Sequence, residues 1–109
     1  MSDSGEVING SINDLEAVEI KLNSVDTEEL DDNQRNLLAE QINQVSLDLI
    51  RLRTAEIEAL SDEFIAQQDD LSERTSNLKV TLDNVYDAIA IIGVVSQALG
   101  TITNIVSLI

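Results

Sequence analysis

Histidine, cysteine, tryptophan and proline are all missing from this 109-residue chain. Without cysteine there is no disulfide framework, and nothing points to a redox compartment. Without histidine or cysteine, the usual nucleophile–base pairs and the Glu-x-x-His pattern of di-iron bundles cannot be built. The lack of proline, with only four glycines, one Phe and one Tyr, argues against a turn-rich sheet protein. It favours helices packed through Leu, Ile, Val and Ala. Cations are scarce too. Six Lys and Arg face 21 Asp and Glu, for a formal charge of −15. Such a surface repels nucleic-acid phosphates and anionic headgroups.

Chemical motifs are equally sparse. No Gly-rich phosphate loop occurs. Asp69-Asp70-Leu71-Ser72-Glu73 superficially resembles an acidic magnesium–diphosphate motif, but such a site needs a cation cluster and a large enclosing pocket. Glu28, Glu29, Asp31 and Asp32 lack the Asp-x-Asn-x-Asp-Gly loop of an EF-hand and suit a helix start instead. The expectation is a protein that is not an enzyme, with no cofactor, no metal and no small-molecule substrate. The N-terminus, Met-Ser-Asp-Ser-Gly-Glu, is acidic and polar, unlike a signal peptide. The corresponding expectation is a cytoplasmic protein, or one released without a classical leader.

Periodicity predicts a single helical domain over residues 11–109 behind a flexible acidic tail at 1–10. Asn9-Gly10 is a turn signal and Ser11 a candidate cap. Ile12, Leu15, Val18 and Leu22 then mark a short helix over about residues 11–23. Asp26-Thr27-Glu28-Glu29 has capping-box spacing and predicts a second helix from near Thr27. Ile50, Ile57, Phe64, Leu71, Leu78, Val85, Ile92, Leu99 and Val106 are each seven residues apart, the repeat of a supercoiled seam. The residues three further on, among them Arg53, Gln67, Arg74 and Thr81, make a poor companion row.

Two all-α architectures fit. One is a long, coiled-coil-like antiparallel hairpin with a short N-terminal helix, folding back near Gln67–Asp70, where Asp70-x-x-Glu73 offers a restart. It would set Leu37–Leu52 against Val85–Val94. The other is a single continuous helix from Thr27 to the end, on the order of 120 Å long, in an oligomeric coiled coil.

The last 22 residues, Ala88–Ile109, carry no charge in a chain that is 25% charged. Their length suffices for a bilayer core. Gly93, Gln97, Gly100 and Asn104 fall on one helical stripe, and Ile92, Leu99 and Val106 across from it. Small, uncharged polar residues suit a close helix–helix seam in lipid or protein, or a lining that tolerates water. This layout of acidic helices ending in an uncharged amphipathic segment is loosely similar to subunits of helical pore-forming toxins, a likeness of arrangement that no motif carries. The resulting expectation is a self-associating helical protein that inserts or docks its C-terminal helix in a membrane. The alternative is a soluble structural or interaction subunit whose C-terminal helix is buried in a homo- or hetero-oligomer. Either way the partner is a second copy, a helical protein or a lipid bilayer.

Overall fold

A computed structural model describes residues 4–55 and 59–109. Four helices account for most of them: α1 (Ser4–Asn23), α2 (Asp32–Ala55), α3 (Asp62–Asp83) and α4 (Ala88–Val106). The chain is all-α, as its composition requires. α1 packs against α2 and α3, and α4 packs against the same two. The helices therefore form a square, with α1 diagonal to α4 and α2 diagonal to α3. Antiparallel pairs α1/α2 and α3/α4 are joined by short connections. The diagonal step from α2 to α3 makes α1 parallel to α3, and α2 parallel to α4.

The antiparallel geometry expected of a hairpin is present in those two pairs, but the fold-back is not at Gln67–Asp70. That stretch lies inside α3, where Asp70 pairs with Arg74 at 3.0 Å one turn on. The change of direction falls before Ser61. The Ser61 side chain accepts from the Phe64 N–H at 3.1 Å to cap α3, and its hydroxyl donates to the Leu108 carbonyl. A second break at 84–87 precedes α4, where Asp87 caps the Ala90 N–H at 3.0 Å. A continuous helix from Thr27 to the end is thereby excluded. Leu37–Leu52 lies alongside α4 in parallel, with Gln41 at Ile92 and Ser96 and Asp48 at Thr103, so the expected antiparallel facing with Val85–Val94 does not occur.

Other boundaries shift for local reasons. Ser4–Gly10 forms the start of α1 rather than part of a tail, because Val7 and Ile8 continue the buried stripe of Ile12 and Leu15. Thr27–Glu29 is a single 3-10 turn capped by Asp26. The reciprocal box that starts α2 is Asp31 with Gln34: each backbone N–H donates to the other's side chain, at 2.9 and 2.8 Å.

The sevenfold repeat is real only in part. Phe64, Leu71 and Leu78 are buried in α3, and Ile92, Leu99 and Val106 in α4. Ile50 is 56% exposed, and Ile57 lies outside the described residues. In α3 the companion row comes four residues on, at Gln68, Thr75 and Leu82, all buried. In α4 it comes three on, at Val95 and Ile102. Two separate seams thus share a spacing without sharing a helix. Phe64, Leu15, Leu49, Val95 and Ile102 are fully buried and make up the centre of the core. Burying each such side chain is worth about 1.5–3 kcal/mol before entropy is counted.

Candidate interaction face

α4 is sorted cleanly by its packing. Ile92, Leu99 and Val106 point into the core and are buried. Gly93, Gln97, Gly100 and Asn104 are exposed, so the two predicted stripes face opposite environments. A Cβ at Gly93 or Gly100 would meet nothing within 4 Å. Neither glycine has positive φ. Their smallness serves neither packing inside this chain nor an unusual backbone. Gln97 leans toward α3, beside Arg74, Asn77 and Thr81. Gly100 and Asn104 instead border an open groove of about 500 Å³ between α2 and α4.

The groove has a polar floor. Gln41, on α2, is buried and donates through Nε2 to the Ile92 carbonyl at 3.0 Å and to Ser96 Oγ at 2.8 Å. Its Oε1 is enclosed and has no partner, a cost that a packed interior normally avoids. Two turns further along, Asp48 is 1% exposed. It accepts from Thr103 Oγ1 at 2.8 Å and from Gln44 Nε2 at 3.1 Å. Burial pushes the Asp48 carboxyl above the usual carboxylate range. The two hydrogen bonds and the Arg51 charge pull back against that rise. These contacts fix the parallel register of α2 and α4: residue 41 sits level with 92–96, and residue 48 with 103. Asp14 at the α1/α3 seam is also raised by burial, opposed by its bond from Thr75 at 3.1 Å and by Lys79.

Charge divides the bundle in two. α2 carries Asp32, Glu40 and Asp48 against Arg35, Arg51 and Arg53, and α4 carries none. The α2/α4 half is therefore neutral. α1 has four acids and one lysine, and α3 has six acids and two bases, which leaves the α1/α3 half at −7. The remaining acids lie in the connections and at the N-terminus.

Arg53 pairs with Glu16 of α1 at 3.2 Å, an interhelical contact between half-exposed groups. Spacing on the helix also offers Arg53 a partner at Glu56, three residues on, which lies outside the described residues. Arg51 has no ion pair among the described residues, although Asp48 is within reach of its field. On α2, Glu40 and Arg51 are exposed and eleven residues apart, hence on one face. That face is the outward side of the α2/α4 half, next to the groove that Glu40 lines. Sequence reading paired Arg51 with Asp48 as neighbours on one helix, but overlooked Gln41 and Glu40 and the burial of Asp48. The signal was available: Gln41 and Asp48 occupy the inward stripe of Leu38, Val45 and Leu52.

Comparison of the chain with protein-family models, with curated proteins and with solved structures finds no match.

Proposed function

We propose that this protein is a non-enzymatic helical docking module, which associates with another helical protein surface through the outer side of its α2/α4 half. One observation carries this reading. α4, which carries no charged residue, also presents glycines whose missing side chains leave open space. Elsewhere the acidic surface repels acidic partners, and most intracellular protein surfaces are hydrated and charged. A neutral, small-residue face permits close approach of a second helix at little desolvation cost. The groove beside it, with exposed or half-exposed Leu37 and the amide of Gln44 on its rim, accepts a ridge of side chains from that helix.

Conditional membrane insertion is the second reading, favoured by the hydropathy of α4. Among the described residues it is the one helix long and apolar enough to cross a bilayer. Length and composition are shared with ordinary core helices, and the apolar face of α4 already has its partners in α2 and α3. Insertion would have to pull that face out of the core. Eleven Ile, Leu and Val residues in the tail return only about 3–7 kcal/mol on the insertion scale, before Gln97 and Asn104 are charged against it.

Vesicle flotation of the full chain, with hydrogen exchange on the floated fraction, decides between them. The docking reading expects the protein to remain with the aqueous fraction for both neutral and anionic vesicles. The α4 amides should stay as protected as those of α2. Co-flotation, with α4 core amides losing their α2 and α3 contacts, would overturn it.

A further inference from the structure

We infer that the occupant of this face is a second copy of the same chain. The two copies stack antiparallel about a two-fold axis that lies in the interface and crosses α4 at Gly100 and α2 between Val45 and Ser46. The inference rests on the docking reading above and names its partner.

Charge selects the partner. Two molecules of −15 repel in any approach, and least in one where both present a neutral face. The α2/α4 side is that face, and an isologous contact requires that it complement itself. It does so along both helices at one level. About the proposed axis, Glu40 lies opposite Arg51 of the second copy and Arg51 opposite its Glu40, because the midpoint of 40 and 51 falls between Val45 and Ser46. On α4 the same operation sets Gly100 on its own copy, Gly93 opposite Ser107 and Ser96 opposite Asn104. The two centres coincide because the Gln41–Ile92 and Asp48–Thr103 contacts hold α2 and α4 in a register that puts residues 45–46 level with about 99–100.

Every α4 residue brought to the crossing is small or an uncharged amide, and the one at the axis has no side chain. Stacking α2 on α2 and α4 on α4 in opposite directions also opposes their macrodipoles. A face two helices wide and some 30 Å long gives roughly 550 Å² per copy, just over the lower limit of about 1,000 Å² total for a specific interface. The dimer is therefore a reversible one.

Sedimentation equilibrium on the full chain tests this, with Glu40→Arg, Arg51→Glu and the double exchange. All three alter exposed side chains, and far-ultraviolet circular dichroism checks that each variant is folded. The intact chain should dimerise, more tightly as salt rises from about 50 to 500 mM, since screening of the net charge outweighs loss of the pairs. Each single exchange places like charges opposite one another twice and should weaken dimerisation by about tenfold or more. The double exchange should return it to within about threefold. A chain that stays monomeric at about 1 mM overturns the inference and leaves the docking reading standing. Dimerisation indifferent to the single exchanges overturns the stacking.

Cysteine placement gives an independent measure, since the native chain has none. Gly100→Cys should cross-link copies on mild oxidation, because the two residues meet on the axis, whereas Ser76→Cys on α3 should not. Equal cross-linking at both positions would refute the geometry.

Discussion

The two halves of the bundle solve the same packing problem on different terms. α1 and α3 bury their apolar stripes and turn a dense carboxylate surface to water, −7 over the two helices. α2 and α4 bury theirs equally well, yet their outward side is neutral. The core does not require this difference, because the buried residues are mostly of one kind: Leu, Ile and Val, with Phe64, two alanines and a few polar side chains. Charge is thus free of the fold here, and the two halves divide it unequally.

The comparison can be broken most severely through the core that both halves share. Phe64→Ala removes the one aromatic ring in the core and should cost about 3–5 kcal/mol in urea unfolding, taking the whole bundle down cooperatively. A loss confined to α3 amides in hydrogen exchange would show instead that the halves unfold separately.

The next largest effect comes from the polar floor. Asp48 and Asp14 have carboxyls raised by burial. The folded protein therefore binds protons that the unfolded chain, with its carboxyls near 3.8, does not. The contribution of these two groups to stability should rise as pH falls from neutral through the raised folded values, and level off below 3.8. Relief of net charge acts in the same direction. Thermal melts across that window should show the rise. Asp48→Asn should add about 1 kcal/mol at pH 7 and flatten the rise, because the amide still accepts from Thr103 without an ion to bury. A melting temperature that falls on mild acidification would contradict the placement of both acids.

The smallest effect sharpens the contrast most. Gly100→Ala meets no atom within the chain and should stabilise α4 by about 0.5–1 kcal/mol through helix propensity alone. The same change should loosen association, since it widens the crossing. A gain in stability with unchanged association would return Gly100 to the status of an ordinary surface residue.

Much of this fold was legible from composition and spacing. The helical class, the helix through Ile12–Leu22 and the buried stripe Ile92–Leu99–Val106 follow from apolar periodicity, which depends on nothing beyond the chain's own repeat. The breaks were harder to see. Neither Ser61 nor Asp87 is accompanied by Gly or Pro, and the sevenfold spacing runs straight through Val85 as though no break existed. Asp70-x-x-Glu73 has the spacing of a cap, but the i,i+4 pair of Asp70 with Arg74 suits a helix interior equally well. At Asn9-Gly10 the turn signal lost to tertiary burial of Val7 and Ile8. Of the candidate face, the split of α4 into a buried and an exposed stripe was readable, and the polar α2 residues packed against it were not. Gln41 and Asp48 are polar residues in core positions, and polarity reads as surface until the helix opposite supplies Ser96, Thr103 and a carbonyl.

The bond from Ser61 to the Leu108 carbonyl has a practical corollary. It ties the handover between α2 and α3 to the far end of α4, and the up-down path brings the start of α1 to that same pole. Among the described residues, the start of α1 and the end of α4 thus lie at one pole, and the two short bends near Thr27 and Asn84 at the other. A linker from the end of α4 to the start of α1, with the backbone reopened at either bend, should give a rearranged chain with the same four helices.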